Sequence, residues 1–288
     1  MNIQPRVLSY SVSALITLLA GPAFADCSAL PSNSQLRSAL IGAIVPANGG
    51  LGFNMWGSIV DIDGSVCAVA FSGTQFTSQW LGSRVISAQK ANTANDFSLG
   101  HNATPGSSKF PKGLALSTAN LFSAVQPGGS LYGLQHSNPV DTGVAYGNQP
   151  PFSTSGITQA SFNPGPGSGL TFGTPSDPMV GKRIGGVNVF GGGLGLYKNG
   201  IRVGGVGVSG DTSCTDHMVA WRVRNALGLD QFQGVGGVAD PTHPDNIIFD
   251  ITPNPAGGTG NSASGFGHPR CLFNPSDADV AALPPVKG

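Results

Sequence analysis

Residues 187–211 read VNVFGGGLGLYKNGIRVGGVGVSGD, two apolar runs on either side of Asn199-Gly200. An Asn-Gly pair supplies the two positive-φ positions of a two-residue hairpin turn, so Val187 to Tyr197 is expected to return as Ile201 to Val208. Upstream, Trp56 to Asp61 and Val66 to Phe71 flank Asp63-Gly64 and read as another hairpin. Helical spacing fills the space between and around them. Leu36, Leu40 and Ile44 recur at four-residue intervals within Ser34 to Val45. Leu81 to Phe97 has high helix propensity, with Ser83 as candidate N-cap, and Ser117 to Val125 reads as a short helix stopped by Pro127-Gly128-Gly129. Ser213 to Leu227 is expected to be a helix, with Ser213 and Asp216 in capping-box-like spacing. Strands joined as hairpins give an antiparallel sheet, and the helices must lie on its faces: an α+β fold. Residues 126–182 form a Gly/Pro-rich irregular insertion, and beyond Leu229 the chain is mostly loop, with one strand candidate at Ile247 to Ile251.

Composition narrows the functions. The chain has 288 residues, compatible with one large domain, and its 14 basic and 14 acidic groups cancel. With no basic excess to neutralise phosphates, charge-driven nucleic-acid binding is not expected. Hydrophobic residues make up 40% of the chain, enough for a core, while Gly and Pro together reach about 23%, just below the low-complexity range. All 14 acidic residues are Asp. Mechanisms that need a glutamate acid or base are thereby excluded, the Glu-containing zinc-protease helix first among them.

Residues 1–25 read as an export signal: Arg6, an apolar run from Val7 to Ala20, then Ala23-Phe24-Ala25 before Asp26. The apolar run is short for a membrane span and no later segment qualifies, so a periplasmic or secreted protein without a span after cleavage is expected. In an oxidising compartment Cys27, Cys67, Cys214 and Cys271 are expected to form two disulfides. Of three possible connectivities, 27–67 and 214–271 are favoured, because each joins a segment near a terminus to a core element.

Four segments, AQKANTANDF (88–97), VQPGGSLYGL (125–134), FGGGLGLYKNGIRVGGVGVSGD (190–211) and the helix beginning at Cys214, resemble the HbpS/GlcG-like family of haem-binding proteins, also called the haem-degrading domain family. The resemblance spans roughly residues 35–228. It implies a profilin-like central antiparallel sheet flanked by helices, assembly into homo-oligomers, and binding of haem or a similar tetrapyrrole. The division expected is a signal at 1–25, the family domain at 26–228 and a loop-rich tail at 229–288 packed on it. The long insertion and the tail depart from the family pattern, and the absence of Glu means that no glutamate-dependent iron site can be carried over.

The candidate residues follow. Gly191-Gly192-Gly193 and Gly204-Gly205 lie in or beside strands with no helix opening after them, so they read as close-packing sites rather than a dinucleotide loop. Ser209 lacks the last glycine of an esterase elbow, Asp211 standing there, and is expected to end a strand. Imidazole is the commonest haem-iron ligand, which singles out His217, His136 and His101; His243, in a tail turn, is expected to be solvated. On its helix His217 shares a stripe with Cys214, Met218 and Trp221, while Val219, Val223 and Ala226 form the stripe expected to face the sheet. Lys90 and Arg84 either face haem propionates or lie on a solvated helix face. Tyr132 and Trp56 are expected in the core. Cys214-x-x-His217 and His268-x-x-Cys271 also have the ligand types of a Cys₂His₂ metal site, against which the 214–271 disulfide competes. These residues support an exported haem-binding accessory protein, or else a cofactor-free oligomeric partner of a periplasmic oxidoreductase, or a small-molecule enzyme of unnamed substrate.

Overall fold

The computed structural model describes residues 27–103, 107–146 and 169–288. The export signal expected at residues 1–25 and the middle of the insertion lie outside the described residues. Four strands form one antiparallel sheet in the order β2-β1-β4-β3, with β1 at Trp56–Asp61, β2 at Val66–Phe71, β3 at Gly193–Lys198 and β4 at Ile201–Ser209. Each hairpin is where the sequence places it, and β1 pairs with β4 to join them, from Trp56 opposite Ser209 to Asp61 opposite Gly204. Asn199 and Gly200 take φ of 51° and 75°, the two left-handed positions that the turn requires. The segment 187–192 is not a strand; β3 begins only at Gly193.

Helix α1 (Asn33–Ala43), closed at its start by a capping box between Ser32 and Gln35, and helix α5 (Ser213–Ala226) share one face of the sheet. Leu36 and Leu40 of α1 and Met218, Val219, Trp221 and Val223 of α5 meet Ile59, Leu194, Leu196, Val206 and Val208 there. Ala226, expected in the sheet-facing stripe, is exposed where the helix ends. Helix α2 (Ser83–Asp96) covers the other face, with the N-cap at Gly82 rather than Ser83. Here the glycines decide the packing. A Cβ on Gly207 would overlap the Ser87 carbonyl oxygen, one on Gly205 that of Ala91, and one on Gly193 that of Lys90. The α2 backbone therefore rests directly on bare strands, which only glycine permits.

Short segments close the sheet edges. Val66 donates its N–H to Lys182 O at 2.9 Å along β2, and Tyr197 donates to Leu229 O at 2.8 Å along β3. Both faces thus lie under the chain's own helices, and both edge strands exchange hydrogen bonds with neighbouring segments. A second cluster between α2 and the insertion contains Trp56, Val60, Val69, Val85, Met179 and Ile184. The insertion contributes helix α4 (Thr142–Tyr146) and, just before it, helix α3 (Leu121–Ala124) replaces the longer helix expected at 117–125. In the tail, β5 (Ile251–Thr252) pairs with β6 (Asn261–Ser262), so the expected strand at Ile247 to Ile251 survives only at its last residue. Helix α6 (Asp277–Ala281) follows. No helix among the described residues is long and apolar enough to cross a membrane.

Candidate functional site

Three of the four segments that carried the family resemblance, 88–97, 190–211 and the helix beginning at Cys214, meet in one buried polar cluster. Lys90 of α2 reaches Asp216 of α5 at 2.7 Å and the Val208 carbonyl at 3.1 Å, tying together helices on opposite faces of the sheet. The Phe190 ring lies 4.6 Å from the Lys90 ammonium, and Asp211 donates its backbone N–H to Asp216 at 3.0 Å. Gly192, with φ of 118°, passes so close that a Cβ would stand 2.9 Å from both Lys90 Nζ and Asp216 Cβ. Burial pushes the Asp216 carboxyl up to about 6 and the Lys90 ammonium down, each partner opposing the other's shift. Asp216 thus serves Lys90 instead of capping α5. The N-cap is Thr212, whose hydroxyl accepts from the Thr215 N–H.

The two imidazoles of the cluster are neutral. Burial pulls His217 down to about 3 and His268 to about 4. His268 accepts the Gly191 N–H on Nε2 at 3.3 Å and donates from Nδ1 to the Pro269 carbonyl at 2.7 Å. His217 Nε2 lies 3.1 Å from the Ile247 N–H and 3.2 Å from Asn246 Oδ1, and its Nδ1 has no partner among the described residues. The stripe of Cys214, His217 and Trp221 faces the tail: Cys214 is bonded to Cys271, and Trp221 donates to Pro284 O at 2.9 Å. Met218 of the same stripe joins the sheet core instead. Both expected disulfides, Cys27–Cys67 and Cys214–Cys271, are present, and with them the thiols of the Cys₂His₂ reading are consumed. Cys214, His268 and Cys271 still gather their ligand atoms within 4.8 Å of one another; His217 stands outside that group.

The residues expected to contact haem differ in their burial. Arg84 is not on a solvated face: it is buried against Asp177 through two hydrogen bonds, with the Phe172 ring 4.0 Å away. Lys90 is likewise inside, so a propionate could reach either cation only by displacing its aspartate, at the cost of an uncompensated buried charge. Tyr132 is 63% exposed rather than core, while Trp56 is buried as expected. His243 is not simply solvated: it contacts the Trp221 ring and donates from Nε2 to Leu283 O at 2.9 Å. His101 and His136 are exposed, and neither ring has a hydrogen-bond partner among the described residues. His101 packs on the Gly200 turn and His136 ends a short 3₁₀ turn, Leu134–His136.

The tail forms a cleft of about 530 Å³ with Ile247, Phe249 and Val280 as apolar lining and Asp240, Asp277 and Arg270 among its polar groups. None of the five residues expected to hold haem lines it. Its two carboxylates oppose the propionates of haem, and its arginine is already paired with Asp277 at 2.9 Å. His217, Lys90 and Arg84 are thus enclosed by protein groups, whereas His101 and His136 are exposed.

No family model and no curated protein matches the chain. Among solved structures, it is similar to a Klebsiella pneumoniae protein described as ORFY, DUF336, at 22% identity and a TM-score of 0.39, covering 70% of this chain and 90% of that one. It is similar to the PduOC:heme complex at 22% identity and a TM-score of 0.38, covering 67% and 89%. A double mutant of Streptomyces reticuli HbpS aligns at 15% identity and a TM-score of 0.40, covering 77% and 99%.

Proposed function

We propose that this chain is an exported haem-binding accessory protein of the HbpS/GlcG-like class that takes haem on its surface. The observation that carries the reading is the split among the histidines: His217 and His268 are enclosed, neutral and committed to the tail, whereas His101 and His136 present free imidazoles to solvent. Neutral imidazole is a good ligand for haem iron at pH 7. The sequence resemblance of residues 88–97, 125–134 and 190–211 supports the ligand class. The disulfides support an oxidising compartment.

Assembly into a homo-oligomer, which the resemblance implies, belongs to the same proposal. The surface that fits is the exposed apolar group of Phe53, Trp80 and Leu81, where the Phe53 and Trp80 rings meet edge to face at 5.2 Å. A haemin titration of the purified mature chain tests the function. A saturable Soret shift at one haem per chain is expected. Absence of both shift and saturation refutes it and favours the cofactor-free interaction partner.

A further inference from the structure

The Cys214–Cys271 disulfide has unusual neighbours. Cys271 Sγ lies 3.2 Å from the Cys214 backbone N–H and 3.5 Å from Ser213 Oγ, at the N-terminus of the 14-residue helix α5. A helix N-terminus and hydrogen-bond donors stabilise a thiolate. On the other sulfur, Cys214 Sγ is 3.8 Å from His268 Nδ1. In the other disulfide, Cys67 Sγ contacts the Ser65 carbonyl at 3.6 Å. Ligands bonded to one zinc-class ion at about 2.0–2.3 Å lie no more than about 4.6 Å apart. Cys214, Cys271 and His268 meet nearly that condition already, with one ligand atom from each within 4.8 Å of the others.

We propose that reduction of Cys214–Cys271 converts this disulfide into a Cys₂His site for a zinc-class cation. The inference is independent of the haem reading. An external dithiol supplies the two electrons and two protons, becoming a cyclic disulfide as the protein disulfide opens to two thiols. The metal then displaces the two thiol protons. His268 coordinates as a neutral imidazole through Nδ1: its proton moves to Nε2, giving up the Pro269 carbonyl, and the Gly191 N–H turns away. The fourth position is left to solvent, since His217 lies outside the triad. In the oxidised protein the site does not exist, because both sulfurs are spent on each other. The site therefore reports the redox state of the junction between α5 and the tail.

Cobalt(II) is the probe, because thiolate coordination gives it near-ultraviolet charge-transfer bands and visible d–d bands. The full mature chain, reduced with a dithiol and checked for native near-ultraviolet circular dichroism, is expected to take up one Co²⁺, displaced by Zn²⁺; the oxidised chain takes up none. His268→Ala is expected to weaken uptake at least tenfold, and the double variant Cys214→Ser/Cys271→Ser to abolish the charge-transfer bands. If reduction unfolds the chain, Cys271→His provides a second arm, since it keeps Cys27–Cys67 closed and offers one thiol and two imidazoles without any reductant. It is expected to bind one Co²⁺. Lack of uptake by the folded reduced chain, or by Cys271→His if reduction unfolds the protein, overturns the proposal. So does uptake unchanged in His268→Ala or in the double serine variant.

Discussion

The sheet layers and the tail are held by different balances of the same forces. Between Asn33 and Leu227 the chain builds layers: two helices on one face, one on the other, and apolar side chains filling the gaps. From Leu229 onward there is little layering, and the strands β5 and β6 are two residues each. Single apolar anchors, Leu229 and Leu283 in the main core, Phe232 and Val235 beside Tyr197, and Ile247 beside Ala119, seat the tail, and separate polar attachments fix it. Arg224 pairs with Asp245 through two hydrogen bonds of 2.6 and 2.8 Å, both side chains buried, and Cys271 is bonded to Cys214. Asn120 donates to Asn246 O at 2.8 Å, and Lys287 pairs with Asp230 at 2.7 Å. Layers tolerate the loss of one contact better than a short set of point attachments does, because a buried charge stripped of its partner keeps its full desolvation penalty.

The sharpest way to break the layered half is steric. Gly207→Val puts a side chain where the Ser87 carbonyl oxygen stands, and backbone cannot yield as a flexible side chain can. The expected cost is about 4 kcal/mol or more, seen as loss of cooperative thermal unfolding. A variant melting like the parent would show that α2 does not rest on the strand backbone.

Asp245→Ala tests the tail. It leaves Arg224 buried without its carboxylate and is expected to cost about 3–5 kcal/mol, felt first beyond Leu229. Limited proteolysis should cut within 229–270 while the layered elements at 33–96 and 193–227 stay protected. Loss of both regions together would mean that they form one cooperative unit.

A smaller effect is expected from pH, with both disulfides closed. Folding depresses the pKa of His217 and His268, so their contribution is present above about 6.5 and is lost as pH falls through about 4 and then 3. Asp216 works the other way: its raised pKa favours the fold at low pH, and that gain is lost as pH rises through about 6. Two imidazoles outweigh one carboxylate. Stability should therefore fall on acidification from pH 6.5 to 4, by roughly 1 kcal/mol per pH unit for one net proton. Urea midpoints at pH 7, 5.5 and 4.5 measure it, and His217→Gln should flatten the slope. A midpoint that rises with acid would contradict the assignment.

What the sequence disclosed follows the same division. Both hairpins were legible because Asp-Gly and Asn-Gly turns and alternating apolar residues are local signals. The disulfides were legible because four cysteines allow only three connectivities. Asp216 was misread as a cap because its partner Lys90 is 126 positions away, and no local pattern announces such a pair. Asp177, the partner of Arg84, lies 93 positions away within the irregular insertion, so the ion pair left no local sign. His243 lies in an Asp-Pro-Thr-His-Pro turn that looks exposed, yet Trp221 and the Leu283 carbonyl enclose it. Long-range polar pairing, which builds both the buried cluster and the tail, leaves no periodicity to read.

The contrast between enclosed and exposed imidazoles is where the functional account is most vulnerable, and a Soret titration across histidine variants tests it most directly. Haemin is added to the parent chain, His101→Ala, His136→Ala and His217→Gln under identical conditions, with folding checked by circular dichroism. The account predicts at least a tenfold loss of affinity in one of the two exposed variants and parental binding in His217→Gln. Parental binding in both exposed variants, with binding abolished in a folded His217→Gln chain, would contradict it.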